Sequence, residues 1–222
     1  MKVLVVFSHP RRQSFCGAVL DALVAGLAAG GHHVEVADLH GEGFDPRMPE
    51  ADEPDWNDPD KRYSDAVLAE QARVARNEAM GLVFPVWWWS LPAMLKGWID
   101  RVWNKGWAYG ARQLPHRRAL LIGTASGSAA TYKREHYDEA MQAQLVVGVM
   151  NYCGIADARL KLYFDVTDSA ESQGFFRSFL TGWIACESEI RANDKRCRYS
   201  STKPNKGVLK WRLKNFQTKR NC

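Results

Sequence analysis

Short apolar runs alternate along the chain with longer segments in which apolar residues recur at helical spacing. The first run, residues 2–7, is apolar after its lysine and rich in valine, which is typical of a strand buried on both faces. Residues 15–29 follow with a helical pattern, directly after Ser14, a residue type that favours a helix N-terminus. The same reasoning predicts strands at residues 2–7, 34–39, 80–86, 119–123 and 160–164, and helices at about residues 15–29, 64–77, 92–102, 137–152 and 170–186.

This alternation of strands and helices predicts an α/β fold, in which a parallel sheet is covered by helices on both faces. Five strands in this rhythm indicate a flavodoxin-like, doubly wound sheet. Ligands of such sheets bind beyond the carboxyl ends of the strands. We therefore expect the functional residues in the segments that follow strands one, three and four.

Charge is distributed unevenly over the chain. Residues 191–222 contain 11 Lys and Arg and one acid, a net charge of +10, whereas residues 1–190 have a net charge of −5. The overall net charge of +5 therefore comes from the C-terminal segment, and it is no evidence that the rest of the chain binds nucleic acid. We expect one domain at residues 1–190 and a basic, disordered tail at residues 191–222. A basic arm for nucleic acid or acidic membrane, or an altered reading frame, are the alternatives for the tail.

Length and composition limit the class of protein further. A chain of 222 residues that is 46% hydrophobic suits one domain with a sizeable core. It has no apolar run of about 18 residues, so no membrane span is expected. The apolar start is too short for a signal peptide, which favours a cytoplasmic location. The five cysteines form no CxxC pair and indicate neither a metal site nor a disulfide framework.

One long segment stands apart from this pattern of strands and helices. Residues 41–63 are rich in Pro, Asp and Gly, which predicts a long excursion that serves as a lid or a partner contact.

The segment after strand one has the character of an anion site. Residues 8–15 run into a helix N-terminus, where free N–H groups and the helix dipole attract negative charge. Ser8, Gln13 and Ser14 add polar side chains. A phosphate would be well held here, although a serine at this position also caps many helices for structural reasons alone.

Three consecutive tryptophans follow strand three. Trp87, Trp88 and Trp89 lie between Pro85 and Pro92, two residues that stiffen a loop. Three adjacent indole rings cannot all enter one core, so at least one is expected near the surface. Either they form a flat surface for a planar ligand, or they belong to a Trp-rich core or a dimer contact.

Small and hydroxyl-bearing residues follow strand four, at residues 124–128 (TASGS). Such a segment lets a ligand approach backbone and hydroxyl donors closely, although it also suits an ordinary turn before a helix. A phosphate-bearing planar cofactor would satisfy all three segments together. A flavin nucleotide is the natural candidate.

These segments also carry a resemblance to a known family. The chain resembles the flavodoxin-like NAD(P)H:quinone oxidoreductases, of the DT-diaphorase type and its bacterial relatives. The similarity rests on residues 8–15, on residues 84–102 (FPVWWWSLPAMLKGWIDRV), on Thr124 to Gly127, on Tyr132 and on residues 152–154 (YCG). It covers about residues 1–168.

The resemblance implies a non-covalently bound FAD or FMN. Its cofactor-binding positions are His9, Ser14 and Phe15 beside the phosphate, Pro85, Val86, Trp87, Trp88 and Trp89 along the flavin ring, and Thr124, Ala125, Ser126 and Gly127 on the pyrimidine side. Cys16 stands where relatives often have Asn. Tyr132 matches the tyrosine beside the hydride-transfer site. The histidine that follows it in DT-diaphorase has no counterpart at the same spacing, where Asp138 falls, and His136 lies nearby.

The expected function is therefore transfer of two electrons from NAD(P)H, through the flavin, to a quinone or similar acceptor. Tyr132 would orient the acceptor or stabilise its developing negative charge, with His136 as the accompanying catalytic residue. The family likeness implies a homodimer. A regulatory flavoprotein that controls a partner, such as a potassium efflux system, is the alternative.

Overall fold

A computed structural model of the protein describes residues 1–58 and 61–166. Its five strands form one sheet in the order β2-β1-β3-β4-β5, and every pairing is parallel. The strands are Lys2–Phe7 (β1), His33–Asp38 (β2), Ala79–Pro85 (β3), Arg118–Thr124 (β4) and Asp157–Tyr163 (β5). The α-helices are Phe15–Ala29 (α1), Asp65–Ala75 (α2), Ala93–Val102 (α3), Ala129–Arg134 (α4) and Tyr137–Met141 (α5), with a 3₁₀ turn at Glu50–Asp52. The predicted flavodoxin-like, doubly wound α/β sheet is confirmed.

The sheet is buried because its central strands are apolar on both faces. Leu4 and Val6 point into one core layer, whereas Val3, Val5 and Phe7 point into the other. All seven residues of β3 are buried as well. Burying one such large apolar side chain stabilises the fold by about 1.5–3 kcal/mol, so the two layers hold the strand ends in fixed register.

The helix predicted at residues 137–152 is present but is not wound uniformly. It begins as α5 and continues as a π-helix over Gln142–Asn151. Apolar spacing locates the buried face of a helix, but it does not distinguish i+4 from i+5 hydrogen bonding. The helix predicted at residues 170–186, the domain boundary at residue 190 and the basic tail lie outside the described residues.

The excursion between β2 and α2 is anchored to α3. Arg101 Nη2 lies 2.7 Å from Asp52 Oδ2, and both side chains are buried. A Cβ built on Gly97 would lie 2.3 Å from the backbone oxygen of Pro46, so the excursion and α3 approach each other to backbone distance. The part of the excursion that includes Pro46 and Asp52 is therefore packed on α3, and the lid and partner-contact interpretations of residues 41–63 stay predictions.

Two kinds of feature are absent from the described residues. In residues 1–58 and 61–166, none of the helices combines the length and apolarity that crossing a membrane requires. The same ranges contain no group of three or more His, Cys, Asp or Glu arranged to hold a metal ion.

Candidate functional site

The ends of four neighbouring strands meet at one edge of the sheet, which we call the carboxyl edge. Hydrogen bonds between strands continue just past the strand ends: Ser8 N donates to Val83 O (3.0 Å) and Val86 N to Thr124 O (2.8 Å). The amide of Ala125 donates to Tyr163 O (2.7 Å). The three segments predicted to bind a ligand thus start side by side. The sheet order reverses between β1 and β3, where doubly wound sheets bind ligands.

The first segment combines a helix N-terminus with an unpartnered hydroxyl. Ser14 is the N-cap of α1, and its Oγ accepts a hydrogen bond from Gly17 N (3.1 Å). Ser8 is completely buried, and its Oγ has no hydrogen-bond partner among the described residues. Because a buried hydroxyl without a partner is costly, Ser8 marks a place where a ligand atom would be stabilised.

Three other side chains of this segment, those of His9, Gln13 and Phe15, differ in how far they are open to solvent. Nδ1 of His9 lies 3.0 Å from the Arg11 amide and 2.9 Å from the Arg11 carbonyl, so its imidazole folds back on its own loop. Gln13 is exposed, whereas the Phe15 ring is buried under the loop. Of these three, Gln13 is the side chain most open to solvent.

Cys16 connects the segment after β1 to the segment after β4. Its thiol is buried, which raises its pKa to about 12, partly offset by a hydrogen bond with Thr124. The thiol is therefore protonated at neutral pH and is not a nucleophile. It ties the start of α1 to the end of β4.

The second segment forms a tight turn at residues 87–90, which we call the Trp turn. Trp87 and Ser90 exchange two backbone hydrogen bonds of 3.3 and 3.1 Å. The two central residues, Trp88 and Trp89, have φ values of 51° and 54°, the combination found in type I′ turns, where Asn-Gly is usual. Left-handed backbone costs a bulky residue about 1–2 kcal/mol. Strain of this kind is concentrated at functional sites.

The indole rings of the Trp turn are open to solvent. Trp88 is 87% exposed, while Trp87 and Trp89 are 45% and 41% exposed. Pro85 and Val86, which precede them, are packed in the sheet end. An exposed indole of this size is unfavourable in water unless an apolar partner covers it, so the turn presents apolar surface that either a flat ligand or another chain would cover.

The third segment is shaped around a tyrosine. Ala125 is buried, Ser126 is exposed, and a Cβ built on Gly127 would lie 3.2 Å from the ring of Tyr132. A larger residue at position 127 would push against this ring. The glycine therefore keeps the segment close to Tyr132, on the first turn of α4.

Tyr132 and His136 have opposite surroundings. Tyr132 is only 4% exposed, and burial raises its pKa. The side chain of His136 is 71% exposed, and its Nδ1 lies 3.1 Å from Glu139 Oε2. Nearby, Asp138 has a buried Oδ1 without a hydrogen-bond partner in the described part of the chain. The structure thus places Tyr132 in the wall of the site and His136 at the solvent surface.

Two aromatic residues at this edge were not predicted as site residues from the sequence. Tyr137 stacks on Trp89 with ring centroids 4.4 Å apart, and Phe164 packs on Tyr132 at 4.9 Å. Phe164 is detectable in principle, since it follows β5 directly at the carboxyl edge. No local pattern connects Tyr137 to a residue 48 positions earlier in the chain.

The fold and the arrangement of the carboxyl edge agree with a comparison against protein families. A sequence profile described as the flavodoxin-like fold matches residues 1–179. The chain belongs to this family. The flavodoxin-like protein is 35% identical to an uncharacterized NAD(P)H oxidoreductase, YcaK, of Escherichia coli K12 over 158 residues, which are 71% of this chain and 80% of the relative.

A second relative and two solved structures extend the comparison. Ribosyldihydronicotinamide dehydrogenase (quinone) of Rattus norvegicus is 28% identical over 207 residues, covering 82% of this chain and 89% of that protein. The NAD(P)H:quinone oxidoreductase from Methanothermobacter marburgensis has a TM-score of 0.75 at 24% identity, covering 90% of this chain and 99% of that one. An FMN-dependent NADH-azoreductase from Bacillus anthracis, in complex with FMN, has a TM-score of 0.64 at 14% identity, covering 85% and 100%. The family resemblance noted from the sequence is confirmed, and the two structures show the shared fold.

Proposed function

We propose that this flavodoxin-like protein is a flavin-dependent NAD(P)H oxidoreductase that passes two electrons to a quinone or similar acceptor. The observation that carries the proposal is that two features lie at one sheet edge. They are the exposed Trp88 and, beside the α1 N-terminus, the Ser8 hydroxyl, which has no hydrogen-bond partner within residues 1–58 and 61–166. A flat ring that carries a phosphate satisfies both. The names of the relatives described above point to the same activity.

The residues present fit a flavin nucleotide. The α1 N-terminus, with His9, Gln13, Ser14, Phe15 and Cys16, would hold the phosphate of FMN or FAD, because the backbone amides and the dipole at a helix N-terminus favour an anion. The ring would lie along residues 85–89, and residues 124–127 would contact its pyrimidine side. When bound, the flavin supplies the two-electron redox chemistry.

The chain itself supplies orientation and proton handling. The Tyr132 hydroxyl is protonated at neutral pH, since the ordinary pKa of tyrosine is about 10 and burial raises it further, and it is able to donate a hydrogen bond to an acceptor oxygen. His136 lies at the solvent surface beside Glu139, away from the buried Tyr132 ring. The Trp turn would exclude water from the reacting face.

Replacing Tyr132 with phenylalanine tests this role. The ring, and with it the packing on Gly127 and Phe164, would remain. We expect kcat/KM for a quinone to fall about tenfold, the value of one hydrogen bond of about 1.4 kcal/mol, while flavin content stays the same. Unchanged turnover would remove Tyr132 from the proposed site.

The overall proposal predicts a bound flavin and substituted-enzyme kinetics. Since one exposed aromatic surface serves donor and acceptor in turn, NAD(P)⁺ should leave before the quinone binds. Double-reciprocal plots of NAD(P)H oxidation at several quinone concentrations are expected to be parallel. Lines that intersect would contradict the shared surface, and a purified protein that takes up neither FMN nor FAD would contradict the proposal as a whole. Mass analysis of the released cofactor distinguishes FMN from FAD.

We extend the proposal to a cytoplasmic homodimer. Val147 and Tyr152, on and directly after the π-helix, are 59% and 61% exposed. The same helix meets the Trp turn, since Ser90 Oγ lies 3.2 Å from Gln144 Oε1. This apolar surface suits a second copy of the chain, and a monomeric mass by light scattering would contradict it. Nothing in the described residues favours the regulatory alternative, and the proteins compared above carry oxidoreductase names.

A further inference from the structure

A series of aromatic rings runs from the exposed Trp turn into the core. Trp88 meets Trp89 edge-on (5.7 Å between centroids), Trp89 stacks on Tyr137 (4.4 Å, 29° between planes), and Tyr137 meets the edge of Tyr132 (5.8 Å, 82°). Tyr132 then packs on Phe164 (4.9 Å). The series joins three separate stretches of chain, and Tyr137 stands at its centre.

The Trp turn needs support from outside itself. Its two central residues have positive φ, a backbone state that tryptophan rarely adopts. Its two internal hydrogen bonds close the turn, but they do not fix the direction of the side chains. Strained backbone persists only where the surroundings over-determine it. Tyr137, whose ring stacks on Trp89, supplies such a contact from outside the turn.

A second contact comes from the same helical segment. Ser90 Oγ donates to Gln144 Oε1 (3.2 Å), seven residues after Tyr137. Residues 137–144 therefore hold the Trp turn at both its centre and its end. Because Tyr137 also touches Tyr132, one side chain sets the positions of two residues that the proposed function uses.

We propose that Tyr137 is a positioning residue that locks the Trp turn and the Tyr132 ring into the arrangement that receives the flavin ring and its planar substrates. The inference rests on the proposed function. Tyr137 itself need not touch the ligand. Its ring matters through stacking, whereas its hydroxyl is dispensable.

The test compares three variants of the full-length protein. Tyr137→Leu removes the stack, Tyr137→Phe retains it, and Tyr63→Leu makes the same change at a half-buried tyrosine in the loop before α2. In unloaded protein labelled with 5-fluorotryptophan, the Trp89 resonance is assigned as the one missing from Trp89→Phe. We expect Tyr137→Leu to shift this resonance and to weaken FMN binding about five- to tenfold, in line with the loss of one stacked pair. Tyr137→Phe and Tyr63→Leu should match the wild type.

Each other outcome overturns the inference. A Tyr137→Leu protein with the wild-type resonance and the wild-type dissociation constant shows that Trp89 is held by other contacts. A Tyr137→Phe protein as impaired as Tyr137→Leu shows that the hydroxyl, not the stack, matters. Should Tyr137→Leu not fold, Tyr137→Met, which fills much of the volume without a ring, replaces it. If the wild type binds no flavin, the proposed function fails, while the Trp89 resonance still decides the role of Tyr137.

Discussion

Replacing Asp52 with alanine is expected to lower the free energy of unfolding by about 3–5 kcal/mol, a large part of the stability of an ordinary domain. Asp52 is completely buried and its Oδ2 lies 2.7 Å from Arg101 Nη2. Asp52 also accepts hydrogen bonds from the amide and the hydroxyl of Ser64, at 2.9 and 3.0 Å. Removing the carboxylate would leave a buried guanidinium whose Nε already has no hydrogen-bond partner among the described residues.

Denaturant titration of the wild type and of three variants measures the effect. Lys96→Ala is the matched control, because it breaks an ion pair with Asp100 whose side chains are about half exposed, a kind of pair that contributes about 0–1 kcal/mol. Joint replacement by Asp52→Leu and Arg101→Met should cost less than Asp52→Ala alone, since no buried charge is left without a partner. An Asp52→Ala midpoint equal to the control would show that the excursion is not anchored through this pair.

The same pair gives stability a defined dependence on pH. Burial opposes ionisation of Asp52, but the hydrogen bonds from Arg101 and Ser64 outweigh it, so the pKa of Asp52 is lowered. Its contribution to stability is therefore present above the unfolded-state pKa of about 3.9 and is lost as the pH falls through the lower folded-state pKa. The Asp52→Ala protein should lose less stability than the wild type across that window.

The strands of the sheet could be predicted because burial on both faces leaves a continuous apolar run. Residues 2–7 are predicted and found as β1, and the capping role of Ser14 is confirmed. β5 was predicted at residues 160–164 but begins earlier, at Asp157. Among the strands that the structure describes, it pairs with β4 alone, and an edge strand tolerates charged residues that interrupt an apolar run.

The candidate site could be predicted in its location but not in its shape. Topology places the ends of β1, β3 and β4 together, so any polar or aromatic residue after them is a candidate. The left-handed backbone of Trp88 and Trp89 contradicts the preference of their residue type, and no sequence pattern indicates it. The short helix α4 was missed because its six residues are too few for apolar periodicity to appear.

Trp98 and Trp88 are expected to fail in different ways when replaced by alanine, as the helical spacing of Trp98 and the loop position of Trp88 already indicate in the sequence. Trp98 is completely buried on α3, and its Nε1 donates to Glu70 Oε2 (2.8 Å). Its loss should lower the free energy of unfolding by about 3–5 kcal/mol through the cavity it leaves. Trp88 is 87% exposed, so its loss should change the free energy of unfolding little and weaken flavin binding instead.

Denaturant titration of the unloaded proteins and FMN titration of the folded ones separate the two effects. Trp98→Phe, which keeps an aromatic ring in the cavity, should recover much of the stability lost in Trp98→Ala. Trp88→Phe should likewise recover part of the flavin affinity, because a flat ring remains on the Trp turn. If Trp88→Ala binds FMN as tightly as the wild type, the exposed indole is not the surface that receives the ring. The strained turn that presents it would then need a different explanation, with contact between two copies of the chain as the first to test.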